Sequence, residues 1–318
     1  MRVHRLHLMT PLLESFALSR CVSGRVWLKL EALQPCGSFK ARGIGFACQR
    51  YRAQGHQRFV SSSGGNAGLA VAYAGRQLEV PVTVVVPEST PERAKQLIRD
   101  ASAEVIVRGQ SWQEAHQYAL TLVDAATAYL HPFDDPLIWE GHASLIDEVL
   151  TAGLEPDVVV LAVGSGGLLC GVAEGLQKAG LAKVRIVTAE TVGAASFYQS
   201  VQAGEVVELE SITTVATTLG AKQVASQALE VSRTFEVIPH VVTDREALEA
   251  CLWFADDHRL VVEPACGAAL ALVYQGVPAL KDAKNILLIV CGGAGVTYGK
   301  LVELKESAEE QTPQRRGA

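Results

Sequence analysis

The sequence has no run of about twenty consecutive apolar residues, the length a helix needs to cross a bilayer. Its start, MRVHRLHLMTPLLESFALS, lacks the compact apolar core and small-residue cleavage site of a signal peptide. Its seven cysteines, Cys21, Cys36, Cys48, Cys170, Cys251, Cys266 and Cys291, are odd in number and never form C-x-x-C. That excludes a disulfide framework and a cysteine-rich zinc module, and predicts reduced thiols in a cytoplasmic protein. The histidines show no H-x-x-x-H spacing, and there is no G-x-S-x-G elbow for a serine hydrolase. Long runs of like charge are missing as well. With a net charge of −6, nucleic acid and membrane surfaces are not expected as the main partners.

What remains is a composition that is 49% apolar, rich in alanine and glycine, over 318 residues, enough for about two domains. Short Val/Ile/Leu runs alternate with longer stretches of helical period. VWLKL (26–30), RFVSS (58–62), VTVVV (82–86), AEVIV (103–107), DVVVLAV (157–163), VRIVTAE (184–190), EVIPHVV (236–242) and ILLIVCGG (286–293) read as strands. Continuous apolar strands between helices predict parallel sheets covered on both faces. TPERAKQLIRDA reads as a helix with a Thr cap and Pro at its first position. SWQEAHQYALTLVDAATA reads as another, capped by Ser111. The expected class is α/β with two lobes, each an open, mostly parallel sheet with helices on both faces, and a ligand cleft between them. FDDPLIWEG (133–141) reads as the crossing. Residues 41–135 are expected to form a small domain, and 1–40 with 136–318 a discontinuous large one. The polar tail, 306–318, is expected to be disordered.

Three stretches bear chemistry. In QPCGSFKARG (34–43), Lys40 sits in the first turn of a predicted helix, where the helix dipole disfavours a cation. A lysine in a dry, electropositive place loses its proton more easily, and a neutral amine can form a Schiff base. In GSGG (164–167), glycines between a strand and a helix leave backbone N–H groups open to a phosphate. A dinucleotide site remains open there, because Glu190 ends the next strand where a ribose-binding acid would sit. Against it, the G-x-G-x-x-G pattern is broken at Leu169. In SSSGGNAG (61–68), Ser and Asn side chains and open amides suit a small carboxylate, although Asn66 also reads as a simple helix cap. A reactive amine, a phosphate cup and a carboxylate loop together fit pyridoxal phosphate and an amino acid.

With these motifs assembled, the chain resembles the pyridoxal-phosphate enzymes of the tryptophan synthase β-subunit fold, fold type II. Within them it is most similar to the L-serine dehydratase/L-threonine deaminase branch. The resemblance runs through TPLLES, QPCGSFKARG, SSGGNAG, PFDDPLIWEGH, GSGGLLCG, ETVGAASF, VEPACGAAL and VCGG, nearly the whole chain. It implies that Lys40 binds the cofactor covalently, with Phe39 beside its ring and Asn66 on its 3′-oxygen. The phosphate would lie on backbone amides of Gly164, Ser165, Gly166, Gly167 and Leu168. Cys291 would face the pyridine nitrogen as a neutral thiol, which favours elimination over transamination. Ser63, Asn66 and Ala67 would grip the substrate carboxylate. A monovalent cation, probable in such enzymes as potassium, would take the Glu190 carboxylate, the Ser196 hydroxyl and carbonyls of Gly164, Ala194, Leu219 and Ala221.

The implied activity is β-elimination of L-serine or L-threonine to a keto acid and ammonia, in a cytoplasmic homodimer. Another fold type II lyase, replacement enzyme or racemase is the alternative, and a nucleotide-binding oxidoreductase or a non-catalytic cofactor carrier lies outside it. Two local departures qualify the resemblance. Gly64 stands where racemases of this fold carry a serine, and Ser165 interrupts what is a glycine run in many relatives. No isoleucine-responsive regulatory domain follows, so that feedback is not expected.

Overall fold

The computed structural model describes residues 5–310. In chain order the elements begin with β1 (Leu12–Glu14), α1 (Phe16–Ser19), β2 (Arg25–Lys29), α2 (Lys40–Ala53), β3 (Arg58–Ser61) and α3 (Asn66–Leu78). β4 (Val82–Val86), α4 (Glu92–Asp100), β5 (Glu104–Val107), α5 (Trp112–Thr121), β6 (Thr127–Tyr129) and α6 (Pro136–Thr151) follow. Then come β7 (Val158–Ala162), α7 (Gly167–Lys178), β8 (Arg185–Thr191), α8 (Ser196–Ala203), α9 (Ser226–Thr234) and β9 (Val237–Val242). α10 (Asp244–His258), α11 (Pro264–Tyr274), β10 (Asn285–Ile289) and α12 (Tyr298–Glu310) complete the order.

Packing gathers these into two compact units. One holds the chain up to Thr10 with Leu33–Leu154 and Gly166–Ala182; the other holds Pro11–Ala32, Glu155–Ser165 and the chain from Lys183 on. In the first, four strands pair in the order β5-β4-β3-β6, all parallel. In the second, six strands run β1-β2-β10-β7-β8-β9, parallel except for β1, which is antiparallel to β2. The central strands β7 and β10 are apolar and buried almost throughout, as parallel strands covered on both faces must be.

Several local readings needed correction. Residues 127–128, read as the end of a long helix, belong to β6 beside β3, and α5 stops at Thr121. FDDPLIWEG, read as a crossing, is largely the start of the sixteen-residue α6, with Asp135 accepting from the Leu137 N–H as its cap. Thr90 is not the cap of α4; that position falls on Pro91 without a side-chain bond, whereas Ser111 caps α5 as expected. Residues 306–310 continue α12, and the rest of the tail lies outside the described residues.

In the first unit α2 packs between α3 and α6, and α6 packs on α7. The α2–α6 crossing is close because it is made by glycines. A Cβ added at Gly141 would stand 2.7 Å from the Gly43 Cα. Between these helices lies Arg42, fully buried, whose guanidinium pairs with both oxygens of Glu148 at 2.8 and 2.6 Å. Bidentate geometry is what allows such a charge to be buried at all.

Candidate active site

Lys40 is the first residue of α2, and nothing in the first turn opposes its charge. Phe39 occupies the N-cap without a side-chain bond, and the turn holds no acid. The Lys40 amine donates to the Pro132 carbonyl at 2.6 Å and stands 5.2 Å from the centroid of the Phe39 ring. Pro132 is presented by a tight turn that His131 organises. Its Nδ1 accepts from the N–H groups of Phe133 and Asp134, at 3.3 and 2.8 Å. Burial first, then the nearby His116 and Lys40, lower the His131 pKa to about 4, so its ring is neutral. Trp139 donates to the Phe133 carbonyl at 2.8 Å, and Tyr51 donates to Asp135 at 2.7 Å, which closes the turn onto α6 and α2.

The serine loop leads from β3 into α3, whose N-cap is Gly65; Asn66 is the first helical residue, and the turn again lacks an acid. Ser63 Oγ accepts from the Gly65 N–H at 3.3 Å, and Ala67 is buried. Behind the loop, Ser62 Oγ shares a hydrogen bond of 2.6 Å with the Tyr129 hydroxyl, which also meets His116 Nδ1 at 2.7 Å. The backbone here leaves no room for larger residues. A Cβ at Gly68 would fall 1.8 Å from the Ser63 carbonyl oxygen, and one at Gly64 would meet Thr90 Cγ2 at 2.6 Å.

The GSGG turn joins β7 to α7. Gly166 is the N-cap with φ 94°, a conformation that favours glycine, and neither a capping side chain nor a first-turn acid satisfies the helix N–H groups. A Cβ at Gly167 would stand 3.0 Å from the Phe133 carbonyl oxygen, and one at Gly164 would stand 3.0 Å from the Leu219 Cα. Backbone amides at a helix start without a capping side chain or a first-turn acid fit a phosphate.

In the second unit, Cys291 follows β10. A hydrogen bond with Cys266, then burial, then the charge of Glu263 hold its thiol well above the usual range, so it stays protonated. Glu263, buried at the N-cap of α11, was not anticipated as a neighbour of Cys291. Its Oε1 accepts from the Gly295 N–H at 2.7 Å and its Oε2 from the Thr218 hydroxyl at 2.9 Å. It thereby ties the loop after Cys291 to the turn that contains Leu219. A lone acid before Pro264 in VEPACG is the one mark it leaves in the sequence. His142, Pro132 and Tyr129 were also missed, because each acts through a partner distant in the chain.

Glu190 is fully buried at the end of β8, accepting from the Phe197 N–H at 2.8 Å and the Tyr198 N–H at 2.6 Å. Burial raises its pKa to about 8, against the lowering effect of those two bonds. Each oxygen thus holds one N–H group at the start of α8. Among the described residues the buried Ser196 hydroxyl has no hydrogen-bond partner. Among the described residues no cluster of three His, Cys, Asp or Glu could hold a metal.

Comparison with known proteins places these features in a family. The model of the family described as "Pyridoxal-phosphate dependent enzyme" matches residues 3–292. The chain is 44% identical to the L-serine dehydratase of Dictyostelium discoideum, over 95% of this chain and 92% of that one. It is 45% identical to the human L-serine dehydratase/L-threonine deaminase, over 95% of each. Among solved structures, a fungal L-serine ammonia-lyase from Rhizomucor miehei superposes with a TM-score of 0.89 at 38% identity, covering 95% of this chain and 99% of that one. Maize serine racemase reaches a TM-score of 0.86 at 25% identity, covering 96% and 93%. The chain therefore belongs to the pyridoxal-phosphate-dependent enzymes of fold type II, with which its two mostly parallel sheets agree.

Proposed function

We propose that the chain catalyses the β-elimination of L-serine, L-threonine or both, releasing pyruvate or 2-oxobutyrate and ammonia. One observation carries this reading: Lys40 opens α2 with its amine on a neutral carbonyl, in a first turn without an acid. Bound pyridoxal phosphate supplies an aldehyde for an amine and an electron-accepting ring. The amides from Gly164 to Leu168 would hold its phosphate, with Phe39 beside its ring and Asn66 on its 3′-oxygen. Lys40, displaced by the incoming amino acid, takes the proton from Cα as a neutral base. Ser63, Asn66 and Ala67 bind the carboxylate. Cys291, kept protonated, would offer the ring nitrogen a neutral partner and so limit the charge drawn into the ring.

Gly64 supports elimination over racemisation. A serine there would bring its Cβ within 2.6 Å of Thr90 Cγ2 and require Thr90 to shift, and glycine itself supplies no acid–base group for the opposite face of Cα. The orphaned Ser196 hydroxyl and the raised Glu190 carboxyl are what a buried cation would relieve. Potassium, with carbonyls of Gly164, Ala194, Leu219 and Ala221, is the ion we assign to them. A homodimer and a cytoplasmic location belong to the same reading.

Purified Lys40→Ala is expected to lose both the visible absorbance of bound cofactor and turnover. Ammonia release from L-serine by that variant would overturn the assignment. Keto-acid assays with L- and D-serine and threonine, in potassium and in sodium, define substrate and ion; activity confined to the D-forms would reject the proposed substrate class.

A further inference from the structure

α2 carries two cations in its first turn, Lys40 and Arg42, and no acid. Its N–H groups still need acceptors. Ala41 donates to the Ser38 carbonyl at 3.2 Å and Arg42 to the Phe39 carbonyl at 3.0 Å. Gly43 donates to Nδ1 of His142 on α6, at 3.2 Å. Because Nδ1 accepts, the proton of the ring sits on Nε2. The imidazole is fully buried, and burial, followed by the charges of Lys40, Arg42 and His7, holds it well below the usual histidine range. It is therefore uncharged at neutral pH.

The ring is built into the base of the lysine site. It lies 4.9 Å from the Phe39 ring, and Phe39 in turn stands beside the Lys40 amine. Glycines make its space: a Cβ at Gly43 would meet Cε1 and Nε2 at 2.7 Å, and one at Gly171 would meet the His142 Cβ at 2.3 Å. Other titratable groups face this region from each neighbouring element. From α6, Glu148 is committed to Arg42 and stands 3.7 Å from His7. From α7 comes the Cys170 thiol, pushed up by burial and so uncharged. From the turn before α6 come neutral His131 and Asp135, the latter held by Tyr51 and by the Leu137 N–H.

A helix start is ordinarily capped by Asp, Asn, Ser or Thr, and acids are favoured in its first turn. A carboxylate this near Lys40 would favour the ammonium form, which cannot attack an aldehyde. We propose that His142 is a positioning residue for Lys40, an uncharged cap that satisfies α2 and backs Phe39 where a carboxylate would hold the amine protonated. The inference rests on the reading of Lys40 as the reactive amine.

The test uses the full chain with cofactor removed, as wild type, His142→Asn, His142→Asp and His142→Leu. Two quantities are followed against pH: the rate of imine formation with added pyridoxal phosphate, and the labelling of Lys40 by a small amine reagent, read by peptide mass. Asn places Oδ1 where Nδ1 stands and should keep the wild-type profile within about 0.3 pH unit, whereas Asp should move it upward by about one unit or more. Leu removes the acceptor without adding charge and should weaken cofactor binding about tenfold, with Asn within about threefold of wild type. Coincident Asp and Asn profiles would overturn the proposal, and so would Leu binding cofactor as tightly as Asn. Should Asp fail to fold, the Asn and Leu pair still decides. A wild-type chain whose Lys40 forms no imine would instead reject the reading of Lys40 itself.

Discussion

His131 shows how much a single acceptor atom can position. Its Nδ1 gathers two N–H groups of the 131–135 turn, and that turn directs the Pro132 carbonyl at Lys40. Asn can imitate this, because its Oδ1 occupies the place of Nδ1; Phe keeps the ring and loses the acceptor. His131→Asn should retain most turnover, while His131→Phe should lower kcat by about tenfold, one lost positioning contact of ~1.4 kcal/mol. Steady-state kinetics on the two variants check this, and equal losses would show that the ring rather than the acceptor matters. Acid stability follows from the same group. Its folded pKa, about 4, lies below the ordinary histidine value of 6.5. The unfolded chain therefore binds the proton first, and stability present above pH 6.5 is lost as pH falls toward 4. Between pH 7 and 5 the loss should be at most ~2 kcal/mol, less with solvent screening of this partly exposed ring. Urea midpoints at the two pH values should converge in His131→Asn relative to wild type.

At the scale of elements, the site depends on how α2 is clamped to α6. Arg42 and Glu148 form a buried, bidentate pair, with the Thr10 hydroxyl at 3.3 Å and the Ser144 hydroxyl at 3.1 Å as further acceptors. Glu148→Leu leaves the guanidinium without its counter-charge and should cost ~3–5 kcal/mol. Adding Arg42→Met should restore most of that loss, since an apolar pair of similar volume replaces a buried ion pair at little cost. Chemical denaturation of the single and double variants measures both, and a double variant no more stable than the single one would argue against the clamp. Secondary structure was legible here where it was periodic. The eight apolar strands expected from the sequence are all present. β4, β7, β8 and β10 are buried almost throughout, and β7 and β10 carry continuous apolar runs, while β5 and β9, at the sheet edges, are half-buried or exposed for most of their length. β1 and β6 were not legible. Each has three residues, too few to show a period, and β6 is a strand because β3 offers it a ladder.

At the scale of the whole molecule, ligands that bind the folded chain alone should raise its melting temperature by mass action. Cofactor at a hundred times its Kd stabilises by ~2.7 kcal/mol. In a chain of this size that is a rise of several degrees, to be measured by calorimetry with and without pyridoxal phosphate. Glu190 would give the proposed cation a distinct signature. Its folded pKa, about 8, lies above the ordinary carboxyl value of 4.5, so its ionisation costs folding free energy as pH rises between those values. A cation offsets that cost and competes with the proton. Potassium should accordingly raise the melting temperature more at pH 8.5 than at pH 6, and the difference should vanish in Glu190→Gln. A potassium effect that ignores pH would move the ion away from Glu190.

Residue types and order sufficed to reveal the alternating α/β plan, the lysine at a helix start and the glycine turn open to phosphate. Each is written in a short contiguous stretch, where periodicity or missing side chains express it directly. Tertiary structure alone decided what those stretches lean on. Lys40 rests on a carbonyl ninety-two residues away, α2 takes its acceptor from a histidine ninety-nine residues on, and Glu263 joins two loops that the sequence keeps apart. A cap or counter-charge supplied from another element leaves no local period behind. It exists once packing has brought a buried donor to its one available acceptor.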